Sequence, residues 1–319
     1  MSLRWATLAL VAVASCAAPR SLPSEPYLVV LGTAQDGGLP QVGCMDALCA
    51  RARNDAQFRR NVASLAIVDP RTGQRWWLDA TPDLGEQVAL ADELAPRRRS
   101  AEARPPLFDG VFLTHAHIGH YAGLAQLGRE VYGARGVPVW CTPRMRGFLE
   151  SNGPWSLLVQ TRAIELREVT PGSVVELAPG LSVESMLVPH RDEFSDTVGF
   201  IVRGPRHSVA YIPDIDKWER WATPLEALLT DVDLALLDGT FFGDGEVPGR
   251  AMAEIPHPFI AETLARLSSV APELRRKVVF THLNHTNPAC DPHSDAARTI
   301  ESAGMRVARD GELLPLGAN

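Results

Sequence analysis

The sequence predicts a single α/β domain in which strands outnumber helices. The chain has 319 residues, of which 45% are hydrophobic, enough to build a substantial core and too apolar for a disordered chain. Apolar strand-like runs recur from Tyr27 onward, with helix-like segments between them and no internal repeat. Polar motifs directly follow several of these runs. We therefore expect one globular domain whose chemistry collects at strand ends, where loops converge.

The elements follow from periodicity and turn signals. Runs rich in apolar and β-branched residues predict strands at 27–32, 61–69, 75–80, 108–114, 136–140, 181–189, 197–204, 207–213, 232–238 and 277–281. Apolar residues three and four apart predict helices at 83–94, 120–133, 218–229, 257–267 and 295–304. The turn signal Pro70-Arg71-Thr72-Gly73 predicts that the second and third strands form a hairpin.

The charge of the chain limits its partners. The formal net charge is −7 at pH 7, whereas a nucleic-acid-binding domain usually presents a strongly basic face. We therefore expect a small-molecule substrate and no nucleic-acid partner. The sequence does not indicate an oligomeric state.

The first residues resemble an export signal. Arg4 precedes an apolar segment, Trp5 to Ala14, that is too short to cross a bilayer. Val13-Ala14-Ser15-Cys16 resembles a bacterial lipobox, which implies that Cys16 is lipidated after removal of the signal in residues 1–16. Residues 17–26 would then be a tether to a domain spanning 27–319, anchored on the periplasmic face of the outer membrane. Ordinary secretion with cleavage nearby is the alternative.

Three histidines occur within six residues at the end of a predicted strand. The segment Thr114 to Leu124 reads THAHIGHYAGL and contains His115, His117 and His120. Neutral imidazole is the commonest protein ligand for zinc and related ions. A strand-to-helix turn would direct all three rings into one space, so this spacing predicts a metal site.

The histidine motif resembles the His-x-His-x-Asp-His signature of the metallo-β-lactamase superfamily. Later residues at strand ends occur in the order of the superfamily's further motifs: His190, Asp214 and His282. The resemblance covers nearly the whole chain after the signal. It implies an αββα sandwich of two facing sheets, with metals at one edge.

The resemblance also implies a ligand set. His115, His117 and His190 would hold the first metal, and His120 and His282 the second, with Asp214 bridging both. The metals would be one or two Zn²⁺ ions, with Mn²⁺ or Fe²⁺ also compatible.

Gly119 stands where the superfamily's aspartate would bind the second metal. Loss of that ligand would weaken occupancy of the second site. The glycine would also leave room for a substrate group. Alternatively, it serves a turn that requires positive φ.

A second motif suggests a structural metal. Cys44, Asp46 and Cys49 resemble a Cys-x-Cys-x-x-Cys loop in one branch of the superfamily. That branch contains coenzyme-PQQ synthesis protein B and phosphoribosyl cyclic phosphodiesterase, in which a later histidine, here His285, completes a zinc site. The resemblance thus implies one structural Zn²⁺. A Cys44–Cys49 disulfide is the alternative.

The chemistry that fits is hydrolysis by metal-activated water, with a phosphodiester or another ester as the bond. Asp214 would orient the water, and His257 would protonate the leaving group or serve only as a surface helix cap. Arg191 and Asp196 would bind a charged substrate or form structural ion pairs. The alternatives are an iron-dependent oxidase like synthesis protein B, with a role in PQQ biosynthesis, and a non-enzymatic metal-binding lipoprotein.

Overall fold

The computed structural model describes residues 21–97, 105–247, 249 and 255–318, and it confirms the predicted α/β class. These residues form two mixed seven-stranded sheets with helices on their outer faces, in one domain. Cys16 and the predicted signal lie outside the described residues. No helix within the described ranges is long and apolar enough to cross a membrane.

The first sheet has the strand order β14-β1-β2-β3-β4-β5-β6. Its strands are β1 Tyr27–Gly32, β2 Ser64–Asp69, β3 Gln74–Leu78, β4 Gly110–Phe112, β5 Val137–Cys141, β6 Ile164–Glu168 and β14 Leu313–Pro315. Strands β2 and β3 pair antiparallel with Asp69 opposite Gln74, which confirms the predicted hairpin. Strands β3 to β6 run parallel to one another.

The second sheet has the order β13-β12-β11-β10-β9-β8-β7. Its strands are β7 Val174–Ala178, β8 Leu181–Leu187, β9 Val198–Arg203, β10 Ser208–Ile212, β11 Leu234–Asp238, β12 Val278–Thr281 and β13 Arg306–Val307. Strands β10 to β13 are parallel. Strands β7 to β10 pair antiparallel, and the connection between β8 and β9 is the longer loop 188–197 that contains His190.

The main core lies between the two sheets. Leu28 and Val30 of β1 join a buried cluster that includes Phe112 of the first sheet and Phe200 of the second. The alternate residues of β1 pack outward in a separate cluster with the helices. Because both faces of such strands are buried, their sequences read as continuous apolar runs rather than as alternating ones.

The predicted helices are present but shorter than expected. The α-helices of the described residues are α1 Ala47–Asn54, α2 Leu84–Leu94, α3 Ile118–Tyr121, α4 Pro143–Ser151, α5 Trp155–Gln160, α6 Leu225–Asp231, α7 Ile260–Arg266, α8 Pro272–Arg275 and α9 Asp295–Ser302. Of these, α1, α4, α5 and α8 were not predicted. The predicted helix at 218–229 is divided into a 3₁₀ turn and α6, because Pro224 cannot donate a helical hydrogen bond and begins a new helix instead. The predicted helix at 120–133 continues only as a 3₁₀ segment, Ala122–Leu127.

The parallel strands bring the polar motifs together. The carboxyl ends of neighbouring parallel strands lie at one edge of a sheet, and each of β3, β4, β10 and β12 is followed within three residues by a polar residue of the candidate site: Asp79, His115, Asp214 and His282. The two sheets present these edges on the same side of the sandwich. The topology thus assembles the site.

Candidate functional site

Four of the predicted ligands form a compact group at this edge. One donor atom from each of His115, His117, His190 and Asp214 lies within 4.8 Å of the others. His115 Nε2 is 2.8 Å from His117 Nδ1, and His190 Nε2 is 3.2 Å from the same atom. Asp214 is 3.3 Å from His115 Nε2 and 3.2 Å from His190 Nε2. Three imidazole nitrogens and a carboxylate thus converge on one point.

A second group lies on the other side of Asp214. His120 Nε2 is 3.7 Å and His282 Nε2 is 3.9 Å from Asp214 Oδ2. Asp36, which the sequence did not suggest, joins both histidines with donor atoms within 4.8 Å of one another. Asp214 therefore lies between the two groups.

The opposite nitrogens of these rings are held by other side chains. Asp79 Oδ2 lies 2.8 Å from His120 Nδ1, and Thr240 Oγ1 lies 3.0 Å from His282 Nδ1. Asp216 lies 3.3 Å from His190 Nδ1. Such partners fix the orientation and tautomer of a metal-binding imidazole. These partners were not predicted from the sequence. Asp79 and Asp216 nevertheless come soon after a strand, and the same position after a strand was the basis for predicting the histidines.

Two of these residues have unusual backbone conformations. Asp79 has φ of 66° and His282 has φ of 61°, in the left-handed region that residues other than glycine adopt infrequently. Both sit directly after a strand that ends at the site. Strained backbone of this kind persists where surrounding contacts enforce it, and it clusters at functional sites.

The electrostatics at His115 and Asp214 suit a bound cation. Burial lowers the pKa of His115 well below its usual value, which keeps the ring neutral and its nitrogen lone pair available. Burial alone would raise the pKa of Asp214, but His190, His257 and His282 together hold it well below its usual range. A neutral imidazole and an ionised carboxylate are the protonation states that bind metal.

Several buried nitrogen and oxygen atoms of the candidate metal ligands have no hydrogen-bond partner among the described residues. They include His120 Nε2, His282 Nε2 and Asp214 Oδ1. Buried polar atoms are normally paired, and leaving one unpaired costs about 1–3 kcal/mol. A bound metal would satisfy all three, so the residues present fit the metal site that the sequence predicted.

His257 lies beside the shared carboxylate. Its Nδ1 is 2.8 Å from Asp238 Oδ2 and 3.1 Å from Asp214 Oδ1. Burial tends to lower the pKa of His257, but the two carboxylates outweigh burial and raise it to about 9. The side chain is only 5% exposed, so His257 is not a surface helix cap.

Arg191 and Asp196 lie in the exposed loop after His190. Arg191 lines a pocket of about 330 Å³ together with His257 and Asn284. Asp196 instead accepts a hydrogen bond from Arg144 at 3.2 Å. Both residues therefore take part in ion pairs, Arg191 with Glu193 at 3.9 Å and Asp196 with Arg144, but only Arg191 also lines the pocket.

The structure corrects both explanations offered for Gly119. Its φ is not positive, so no turn requires a glycine here. The space beside it is also not free for substrate: a Cβ atom at position 119 would lie 2.0 Å from Asp36 Oδ1 and 2.8 Å from Asp36 Cα. The glycine is needed because Asp36 occupies that volume.

The predicted structural residues also come together. The sulfurs of Cys44 and Cys49 are joined as a disulfide, with their Cα atoms 6.1 Å apart. Cys44, Asp46 and His285 have donor atoms within 4.8 Å of one another. The loop after β1 therefore contacts the segment after β12, as the zinc hypothesis requires. The two sulfurs are bonded to each other, as the disulfide alternative requires.

The family of the chain follows from its similarity to known proteins. A family model described as a beta-lactamase superfamily domain matches residues 74–310. The chain belongs to the metallo-β-lactamase superfamily. The αββα fold that the histidine motif implied is thereby confirmed.

Individual relatives place this superfamily member more closely. Coenzyme PQQ synthesis protein B of Methylobacterium nodulans is 30% identical over 311 residues, covering 90% of this chain and 99% of that protein. Zn²⁺-bound PqqB from Methylobacterium extorquens superposes with a TM-score of 0.76 at 25% identity, over 91% of this chain and all of that chain. A diphosphatase of the PhnP family has the same fold, with a TM-score of 0.61 at 22% identity over 91% of this chain and 96% of that chain. The branch suggested by the cysteine loop is confirmed.

Proposed function

We propose that this superfamily member is a metal-dependent hydrolase that cleaves a phosphodiester or another ester of a small molecule. The observation that carries the proposal is the pair of adjacent ligand groups that share Asp214. Paired metal sites of this kind are typical of enzymes that transfer acyl or phosphoryl groups to water.

The ligand set defines which metals suit the site. His115, His117 and His190 would hold the first ion, His120 and His282 the second, and Asp214 both. Imidazole and carboxylate together accept Zn²⁺, Mn²⁺ and Fe²⁺. The similarity to a Zn²⁺-bound protein supports zinc first.

Metal bound in such a site lowers the pKa of a coordinated water toward neutrality and polarises the oxygen of the scissile group. The protein's own residues then position the reactants. Asp214, buried and ionised, would accept a hydrogen bond from the attacking water and so set its direction. The outer partners Asp79, Asp216 and Thr240 keep the ligand rings in place.

His257 is placed to move a proton. Its Nδ1 is held between Asp238 and Asp214, which leaves Nε2 as the ring atom available to a substrate. The adjoining carboxylates, Asp238 first, raise the pKa of this ring, which favours its protonated form. His257 would donate that proton from Nε2 to the leaving-group oxygen.

The pocket beside His257 suits an anionic substrate. Arg191 lies on its wall and is exposed, and the planar guanidinium group binds phosphate and carboxylate groups in a bidentate manner. Asn284 adds an amide to the same wall. This combination supports a phosphodiester as the first substrate class to test.

The experiment compares chelated and reloaded protein on a substrate panel. Apo-protein is reconstituted with Zn²⁺, Mn²⁺ or Fe²⁺ and assayed with bis(p-nitrophenyl) phosphate, p-nitrophenyl phosphate and p-nitrophenyl acetate. We expect hydrolysis only after reloading, with the diester preferred over the monoester. Absence of turnover by every loaded form on every substrate would contradict the hydrolase and favour a non-enzymatic metal-binding protein.

A second candidate function rests on the similarity to synthesis protein B. Relatives with that name match nearly their whole length at 28–30% identity. The similarity supports a role in PQQ biosynthesis. The chemistry of this candidate would be that of an oxidase with iron at the same ligands, since imidazole and carboxylate also accept Fe²⁺. Iron in the purified protein, with substrate-dependent oxygen consumption and no ester hydrolysis, would select this candidate over the first.

For Cys44, Asp46, Cys49 and His285 we propose one structural Zn²⁺ in reduced protein, since thiolate, carboxylate and imidazole are all zinc ligands. The bond between the sulfurs represents the competing oxidised form. Zinc analysis of protein purified with and without reductant tests the proposal, which requires one additional zinc under reducing conditions.

We also propose export, with Cys16 lipidated and the domain held at the periplasmic face of the outer membrane. The support is the sequence of residues 1–16 alone. Labelling with a radioactive fatty acid should mark the wild-type chain and not Cys16→Ser. Equal labelling of both chains would exclude the anchor.

A further inference from the structure

The second metal site contains a carboxylate from an unexpected part of the chain. Asp36 comes from the loop after β1, 84 residues before His120 in the sequence. Its Oδ1 lies 3.6 Å from His120 Nε2, and Asp36, His120 and His282 have donor atoms mutually within 4.8 Å. Asp36 is the member of this group that the histidine motif does not imply.

The free atoms of the group face one another. His120 Nδ1 is taken by Asp79 at 2.8 Å, and His282 Nδ1 is taken by Thr240 at 3.0 Å. Both Nε2 atoms and Asp36 Oδ1 are buried and have no hydrogen-bond partner within the described part of the chain. Both histidines are fully buried. Two imidazole nitrogens and one carboxylate oxygen, each without a hydrogen-bond partner among the described residues, therefore face a common point.

Local backbone contacts hold Asp36 in this place. Ala34 forms a parallel bridge with Leu283, and the amide of Gln35 donates to the carbonyl of Leu283 at 2.9 Å. The side chain of Asn284 donates to the side chain of Gln35. Asp36 is thus fixed beside the segment that carries His282, and its position does not depend on a flexible side chain alone.

The backbone of Gly119 lies directly against the Asp36 carboxylate. A Cβ atom at position 119 would lie 2.0 Å from Asp36 Oδ1, so a side chain there and the Asp36 carboxylate cannot coexist in this geometry. The superfamily motif has its second-site aspartate at the position of Gly119. In this chain the same volume contains the carboxylate of Asp36, which comes from the loop after β1.

We propose that Asp36 is a ligand of the second metal and replaces the aspartate that Gly119 lacks. The inference rests on the proposed metal dependence and makes the second site a full one: His120, His282, Asp36 and the shared Asp214. The lower occupancy that Gly119 suggested from the sequence is then not expected, because both the ligand and its negative charge are restored.

The test measures binding of Mn²⁺ to apo-protein by calorimetry, with electron paramagnetic resonance of the loaded protein as a second readout. Mn²⁺ is chosen because it prefers carboxylate to thiolate ligands, so Cys44 and Cys49 contribute little. Wild-type protein should bind two ions and give the spectrum of a coupled pair. Asp36→Asn keeps the shape of the side chain and should weaken the second binding event at least about tenfold, with the first unchanged.

Two further variants make the result specific. Gly119→Ala adds no polar group, yet it should also weaken the second event, since its methyl group displaces the Asp36 carboxylate. Glu130→Gln removes one charge at an exposed pair with Arg129 and should leave both events unchanged. The first binding event serves in every variant as the control for folding.

Wild-type binding of both ions by Asp36→Asn would overturn the assignment of Asp36 and leave the hydrolase proposal standing. Two bound ions that depend on Asp36, in a protein that hydrolyses nothing on the panel, would confirm Asp36 and contradict the hydrolase. Fewer than two ions bound by wild-type protein would overturn the assignment of Asp36, and no bound ion at all would overturn both proposals.

Discussion

The two halves of the metal centre are built in different ways. The first draws His115 and His117 from a single turn after β4 and His190 from the end of β8. The second draws on the loop after β1, α3 and the end of β12. The histidines of both halves can be recognised from sequence motifs, whereas the Asp36 carboxylate of the second half depends on how its loop docks. A ligand that is missing from a motif is therefore not necessarily missing from the site.

The largest effect is expected from the first half. His190→Ala removes one of the three imidazoles of the first group. We expect loss of the first metal and at least about a 100-fold loss of hydrolysis, since even outer partners of metal ligands are worth about 10- to 100-fold. Metal analysis and the diesterase assay check this. Full metal content with full activity would remove His190 from the ligand set.

A smaller and more selective effect is expected at Asp79. In Asp79→Asn the residue still suits the positive φ, but its amide would donate to His120 Nδ1 and shift the ring proton to Nε2. The second metal should then bind about 10- to 100-fold more weakly while the first is retained. Mn²⁺ calorimetry separates the two events. Equal weakening of both would show that the halves do not act separately.

The cysteine loop offers a comparison outside the active site. Under the disulfide reading, Cys49→Ser should lower the free energy of unfolding by about 2 kcal/mol, from closure of a short loop, and His285→Ala should leave it nearly unchanged. Under the zinc reading both variants should be destabilised, because metal binding contributes to folding. Thermal unfolding with and without reductant distinguishes them. A Cys44–Cys49 crosslink in non-reduced peptide maps of protein isolated from its native host without added oxidant would exclude the zinc.

The smallest effect is expected from Asp196, in the exposed loop after His190. Asp196 and Arg144 form a partly exposed ion pair, and such pairs contribute about 0–1 kcal/mol to stability. Asp196→Ala should therefore change the melting temperature little and leave KM unchanged, while Arg191→Ala should raise KM for the diester. A raised KM in Asp196→Ala as well would restore its predicted contact with substrate.

Strong local patterns predicted the fold, and they predicted the histidines and Asp214 of the two metal groups. Apolar runs gave the central strands, and the order of His115, His190, Asp214 and His282 at strand ends gave the superfamily. The polar edge strand β6, with sequence IELRE, was missed because mostly exposed residues carry little strand signal.

The rest of the site could not be read from sequence because it depends on long-range contact. Asp36 and Asp79 have no partner nearby in sequence: one reaches His120 through the docking of its loop on Leu283, the other from the end of a neighbouring strand. The reason for Gly119 lies in the same contact. An interpretation based on its own neighbours could only propose a turn or an open space, and both were wrong.

The central claim is that the chain holds two ions that share Asp214, and anomalous diffraction from crystals grown with the metal tests it most directly. Data collected on both sides of the metal absorption edge should show two peaks at the site. One should be bound by His115, His117 and His190, the other by His120, His282 and Asp36, with Asp214 between them. A single peak, or a second peak with Asp36 turned away, would contradict the account.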